Sequence, residues 1–418
     1  MSRSEWEAAC HHGSTCALTG SAAFFDSISG SFTVVNGPLW CYFYAMKYVD
    51  NENPMASMRF SCTQVSPNSL VYGTEDDLRK GLSSIETYAK PERVFVQNNC
   101  SVSLVGDDVQ GIADQMDLPW PVYAMDSGGM KGSFEAGYSA ASLRIEKEMK
   151  TKEKIPASVN VLGLSTVHMK GWEDAEEIRR LLSLCGIRVI SMPGGGSNWD
   201  DIMGAPSASL NIVVRDELGL SLAKQMEQDF GTPYMSCGLP YGTDGTMAWL
   251  SEIIEKLGAG ELTHASHEAA KLKEFLLRKG NNLESLWGPL WFDAVLISAP
   301  PSEALGIAEA IRSEWIDTAR LCVHAQCETE KSTPAADAIR VVMKNENEIA
   351  KDYEDWQGGL VLSSSHETHL LRRMGRSFTG FHIALPSHDE VHFSDLPQCG
   401  LRGAGYLYEQ LWNAKLRK

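Results

Sequence analysis

The sequence has no uninterrupted apolar stretch approaching the eighteen or more residues of a membrane-spanning helix, and Met1 to Cys10 is too polar for a secretory leader. Both absences point to a cytoplasmic protein. Positive charge is also scarce. The 37 Lys and Arg residues stand against 54 Asp and Glu, a net charge of −17, which argues against nucleic acid as a partner because a phosphate backbone needs a basic face. There is no exact short repeat and no low-complexity tract. The triplet Gly194, Gly195 and Gly196 lacks both GxGxxG spacing and a Walker lysine, so it reads as a tight strand-to-helix turn.

What the chain does contain is the composition of a globular protein. Its 418 residues are 43% hydrophobic and 22% charged, enough for two or three cores of ordinary domain size. Ten cysteines without a secretory leader imply a reducing compartment, where thiols persist to bind metal or pack in cores. From Ser31 onward short apolar runs alternate with amphipathic stretches, the pattern of repeated β-α units. A first block has strands at SFTVV, VFVQ and PVYAM and ends in the charged run Ile145 to Lys154 before Pro156. A second opens at SVNVLGL, continues through RVISM and SLNIVV, and leaves by the helix KLKEFLLRKGNNLESLW. A third begins at FDAVLISAP and closes through GLVLSSS, GFHIALP and the helix GAGYLYEQLWNAKL. The expected fold class is α/β, with three doubly wound Rossmann-like domains of mainly parallel strands, at 1–154, 155–285 and 286–418.

Cys16, Cys41 and Cys100 stand apart from the other cysteines. Each lies in a glycine-bearing loop where an apolar strand meets a helix start, in CALTGSAAFF, VVNGPLWC and VFVQNNCSVSLVGDDV. Turns of that kind converge on one edge of an α/β sheet, so thiolates distant in sequence can meet around one soft-metal centre. These three are the candidate iron–sulfur ligands. Cys62, Asp126 and Ser127 are weaker candidates to assist them. Asp107 and Asp108, after Gly106, are expected to cap a helix and hold Cys100 in place. Cys322 and Cys327 in CVHAQC, and Cys10 with His11 and His12, lack a second half at zinc-finger spacing. His388 and His392 stand at i, i+4 but without the HExxH glutamate, so a surface or interface loop is the better reading.

These motifs resemble the nitrogenase component 1 superfamily, which takes in molybdenum–iron protein subunits, cofactor-assembly scaffolds and nitrogenase-like reductases. Its hallmarks are a first Cys before a Gly-Ala-type turn, an HGPxGC-like segment, and a Cys shortly before GDD. They correspond here to Cys16 to Gly20, Asn36 to Cys41, and Cys100 before Gly106. RFSCT, DSGGMKGSFEAGY, VNVLG, ASLNIVV and GLRGAGYL look like further family blocks, so the resemblance spans nearly the whole chain. Asn36 and Trp40 depart from the His and Gly of HGPxGC. Where the catalytic α subunits carry a cofactor-anchoring Cys before a GIPW-like segment, this chain has NIVVRDELGL and then GTPY without one.

The resemblance therefore implies a β-type, electron-relaying subunit of a two-component reductase. Cys16, Cys41 and Cys100 would ligate an iron–sulfur cluster, P-cluster-like [8Fe-7S] or [4Fe-4S], shared with an α-type partner in a heterodimer or α2β2 heterotetramer. An ATP-dependent iron protein would supply electrons, and a small organosulfur (methylthio) compound is an attractive substrate. The alternative implied is a scaffold subunit for assembly of a nitrogenase-type cofactor.

Overall fold

The computed structural model describes residues 15–417 other than 51, 54, 342–349, 352 and 355; Cys10, His11 and His12 lie outside the described residues. Three parallel sheets form the framework, as the alternating pattern predicts. The first holds β1 (Ser31–Asn36), β2 (Phe60–Cys62), β3 (Arg93–Asn98) and β4 (Val122–Asp126), in the order β2-β1-β3-β4. The second holds β5 (Ile155–Leu162), β6 (Arg188–Ser191), β7 (Ala208–Val213) and β8 (Tyr234–Ser236), in the order β6-β5-β7-β8. The third holds β9 (Trp291–Ala299), β10 (Asp317–Ala325), β11 (Ala338–Val341), β12 (Leu360–Ser363) and β13 (Thr379–His382), in the order β11-β10-β9-β12-β13. Strands buried on both faces read as continuous apolar runs, which is why VFVQ, SLNIVV and FDAVLISA stand out in the sequence.

Two strands are less visible there. RFSCT reads as a loop, yet Phe60, Ser61 and Cys62 pair with Thr33, Val34 and Val35 of β1 as a short edge strand; three residues are too few to display a period of two. CVHAQC, considered as a metal fragment, lies in and just beyond β10. His324 there stacks on Tyr353 with ring centroids 5.3 Å apart, and Cys322 and Cys327 are buried. Among the described residues no helix is long and apolar enough to cross a membrane.

One helix pair positions the N-terminal site. All ten residues of the helix Ala17–Asp26 are buried, and it is roofed by the helix Phe134–Glu146. The two backbones touch at glycines: a methyl group on Gly20 would fall 1.8 Å from the Phe134 carbonyl oxygen, and one on Gly137 would fall 1.9 Å from that of Ala17. Phe24 packs edge-on against Tyr138 at 5.1 Å, and Phe25 stacks on Phe95 of β3 at 4.1 Å, seating the pair on the sheet. Because backbone cannot retreat as a side chain can, Gly137→Ala should destabilise the chain by about 3 kcal/mol. Denaturant unfolding of the variant at unchanged slope checks this.

The blocks are joined by buried charge. Arg215, which follows β7 and is fully buried, donates to Oε1 of Glu303 at 3.0 and 2.6 Å; Glu303 belongs to the first turn of the helix Pro301–Ala310 behind β9. Asp174 accepts from the backbone N–H groups of Gln398 and Cys399 at 2.7 and 3.0 Å, fastening the start of the final helix, Gly400–Leu416, to the second block. Where the three blocks meet lies a cavity of about 20 Å³, lined by Tyr48, Phe134, Glu135, His168 and Glu303 among others.

Candidate functional site

In the first sheet the chain passes from β1 to an edge at β2 and then to the other side at β3, so the β1/β3 boundary is a topological switch point. Loops leaving the carboxyl ends of neighbouring strands diverge there and open a crevice. Cys41 lies in the first turn of the helix Leu39–Val49 after β1, and Cys100 opens the helix Cys100–Val105 after β3. Cys16, at the N-terminus of the helix Ala17–Asp26, reaches the same edge through a bridge to Ser133, with Ala17 N–H donating to the Gly132 carbonyl at 3.0 Å. The fold thus brings together the three cysteines singled out from the sequence.

Their spacing has chemical content. A methyl group on Gly129 would lie 3.6 Å from Cys100 Sγ and 3.8 Å from Cys16 Sγ, so both sulfurs flank one glycine in the loop after β4. The three thiols thus share one space at the switch point, with Cys16 and Cys100 near enough to Cys41 to act on its thiol. Each of the three thiols is half-buried. Burial pushes the Cys41 thiol up, a hydrogen bond from Asn99 pulls it down, and nearby Cys16 and Cys100 push it up again. Loading metal must therefore displace a proton from Cys41.

An amide ladder across the strand ends fixes these loops. Asn36 Nδ2 donates to Asn98 Oδ1 at 3.0 Å, and Asn98 Nδ2 donates to Asp126 Oδ1 at 2.9 Å. Asn99 does two jobs. Its Oδ1 caps the Cys100 helix by accepting from Val102 N–H at 3.0 Å, and its Nδ2 donates to Cys41 Sγ at 3.5 Å. Gly37 makes room for it, since a methyl group there would meet the Asn99 side chain at 2.6 Å. Asp108 caps the next helix through Gly111 N–H at 3.0 Å, as expected, whereas Asp107 accepts from Thr74 N–H and Oγ1 at 2.6 and 2.8 Å and ties this loop to the one before it.

The weaker candidates divide. Asp126 is engaged by Asn98 and Ser103, and Ser127 donates to the Asn98 carbonyl at 3.3 Å, so both serve the loop. Cys62 sits close enough to Cys41 to be pushed up by it, though burial is the larger cause; its Sγ donates to the Gly37 carbonyl at 3.2 Å and accepts from Gln64 N–H at 3.4 Å. Asn99 and Gly129 were not foreseen. Asn as a helix cap was legible in NNCSV, but its second bond across to Cys41 was not.

A cavity of about 630 Å³ opens beside Cys16 and Cys41, lined by Leu18, Trp40, Tyr44 and Leu385, with His366 and His388 from the third block. The Cys41 helix also presents a continuous exposed apolar face: Leu39, Trp40, Phe43 and Tyr44 are 51–69% exposed, and the Trp40 and Phe43 rings meet at 6.2 Å.

A thiol-lined switch point on three parallel sheets is the setting of a known class of protein: the chain matches the nitrogenase component 1 type oxidoreductase family over residues 16–415 and belongs to it. It is 28% identical to the nitrogenase iron-molybdenum cofactor biosynthesis protein NifE of Clostridium pasteurianum, a match taking in 65% of this chain and 58% of that protein. It is 23% identical to one component chain of the light-independent protochlorophyllide reductase of Chloroherpeton thalassium, over 97% of this chain and 77% of that one. The nitrogenase molybdenum-iron protein alpha chain of Methanosarcina barkeri is 26% identical over 60% of this chain and 49% of its own. In fold it superposes on nitrogenase Cp1 at pH 6.5 with a TM-score of 0.78 and 16% identity, covering 97% of this chain and 93% of that one.

Proposed function

We propose that this chain is the β-type, electron-relaying subunit of a nitrogenase-like two-component reductase in the cytoplasm. Cys16, Cys41 and Cys100 are its share of the ligands to an iron–sulfur cluster, P-cluster-like [8Fe-7S] or [4Fe-4S], at the contact with an α-type subunit. The observation that supports this reading is the set of three half-buried cysteines gathered at one switch point, with the Cys16 and Cys100 sulfurs flanking Gly129. Three thiolates are one short of a cubane's four, so a further ligand comes from a non-cysteine group or from a second chain, and the second of these puts the cluster at a subunit contact. The exposed Trp40, Phe43 and Tyr44 beside Cys41 have the aromatic character of an interface core. When bound, the cluster supplies a one-electron relay.

The residues of this chain hold and tune that relay. The amide ladder keeps the sulfurs in place, Gly129 keeps the space between Cys16 and Cys100 clear, and Asn99 withdraws electron density from the Cys41 sulfur. Asn99→Asp should keep the helix cap, lose the N–H donor, and add negative charge, shifting the cluster's midpoint potential downward. Anaerobic redox titration followed by EPR reads the shift; an unchanged potential refutes the tuning role.

Electrons would enter from an ATP-hydrolysing iron protein docked on the heterodimer or α2β2 heterotetramer, and leave to a cofactor in the α-type chain. The proposed substrate is a small methylthio compound. Incubating the purified complex with its iron protein and ATP should release methane or ethylene from such compounds; turnover of only dinitrogen or a tetrapyrrole overturns the substrate. A second reading, a cofactor-assembly scaffold, draws on the similarity to NifE. Transfer of a bound iron–sulfur precursor without turnover would establish it in place of the first.

A further inference from the structure

The loop after β13 gathers a second set of donor atoms, formed by different residues from the cysteine site. His382 ends β13 and is almost completely buried, while Glu390 and His392 return to it from the loop. The ligand atoms of these three residues all lie within 4.8 Å of one another. Glu390 Oε2 is 4.0 Å from His382 Nδ1 and 3.9 Å from His392 Nε2. Ser387 Oγ lies between the rings, 2.7 Å from His382 Nδ1 and 3.1 Å from His392 Nε2. Donors around a tetrahedral ion with bonds of about 2.0 Å stand about 3.3 Å apart, so small side-chain rotations close the set.

What surrounds these groups separates them from an ordinary polar loop. A histidine that binds metal through one ring nitrogen commonly gives the other to a carboxylate or hydroxyl, which orients the ring. His382 Nε2 is 3.4 Å from Asp389 Oδ1 and 3.4 Å from Thr368 Oγ1. Asp389 is itself held by Ser365 Oγ at 2.8 Å and by Arg372 Nη1 at 2.5 Å, both on the helix Ser365–Arg373. On the other side a cavity of about 300 Å³ reaches Glu390 and His392, giving exchangeable ligands access.

We propose that His382, Glu390 and His392, with Ser387 beside them, form a binding site for a divalent first-row transition ion, held by His382 Nδ1, His392 Nε2 and a Glu390 carboxylate oxygen. Two imidazoles and one carboxylate suit a borderline ion such as Zn²⁺ or Fe²⁺ and are a poor match for Ca²⁺ or Mg²⁺. Asp389 acts as the positioning residue for His382. The same loop carries Leu385, Pro386 and His388, which line the cavity beside Cys16 and Cys41, so the ion would pin that wall in place.

Zinc is the probe. The anaerobically purified complex, with its iron–sulfur content intact, is equilibrated with one equivalent of Zn²⁺ per chain, gel-filtered, and analysed by zinc K-edge X-ray absorption. The expected result is one retained ion per chain with nitrogen and oxygen neighbours and the scattering of two imidazoles. His392→Gln and Glu390→Gln, both at partly exposed positions, should weaken binding by about 100-fold or more, and Asp389→Asn by about tenfold. Zinc should raise the unfolding temperature of the parent chain and leave that of His392→Gln unmoved. Sulfur scattering, equal retention by the parent and His392→Gln, or no retained ion overturns the site. Because the readouts are ion retention and coordination, they do not depend on which substrate the complex reduces.

Discussion

Cys100→Ala should strip the purified complex of most of its cluster iron and sulfide while leaving the chain folded. Cys100 is half-buried and opens a six-residue helix whose cap belongs to Asn99 and whose core contact is Val102, so alanine suits the position and costs under about 1 kcal/mol. The effect then falls on ligation alone. Alanine is the informative choice, because a serine oxygen could still bind iron. Cys41→Ala and Cys16→Ala should behave alike, whereas Cys62→Ala, which removes a thiol bonded to the Gly37 carbonyl and Gln64 N–H, should keep its iron. Anaerobic iron and sulfide analysis with EPR decides the matter. If Cys100→Ala retained the parent's iron, or Cys62→Ala lost as much, the assignment of ligands would fail.

Glu303→Ala should be among the most destabilising single substitutions, at about 3–5 kcal/mol, because it strips the fully buried Arg215 guanidinium of its hydrogen-bonded ion-pair partner and leaves only the more distant Asp174. The reverse deletion should be milder. Burial pushes the Glu303 carboxyl up to about 7 even against the pull of Arg215, so in Arg215→Met the acid can take up a proton and stay neutral. A carboxyl whose folded pKa lies above its unfolded value contributes stability below the unfolded value, and loses it as pH rises through the folded one. Arg215→Met should accordingly weaken further between pH 5 and pH 8, and Glu303→Ala should stay low throughout. Denaturant unfolding across that range checks both curves; equal costs at pH 5 would refute the asymmetry. The pair joins β7 to the helix behind β9, so Glu303→Ala should also loosen the second block from the third.

Much of this architecture was legible beforehand, for a physical reason. Strands buried on both faces must be apolar throughout, and helices behind them must show one apolar stripe, so SFTVV, SLNIVV and FDAVLISA declared themselves as sheet. The glycines carry no such pattern: only the structure shows that Gly137 in GSFEAGY lies against Ala17, a contact the helix pair cannot lose. The elements that escaped notice were those with little pattern to show. β2 has only three residues, and β10 carries His324 and a cysteine within its apolar run, with a second cysteine just beyond, which blurs its strand pattern.

The site divides in the same way. Glycine, cysteine and strand-to-helix order are local properties, and they were enough to single out Cys16, Cys41 and Cys100 as one set and to indicate the family. Partners across the fold carry no such local mark, since any asparagine can cap a helix and any histidine can sit in a loop. Only packing decided that Asn99 reaches Cys41, that Gly129 lies between two sulfurs, that Arg215 meets Glu303, and that His392 faces His382. Those meetings depend on crossovers and on how three sheets settle against one another, whereas sequence periodicity reports only which face of each element seeks the core.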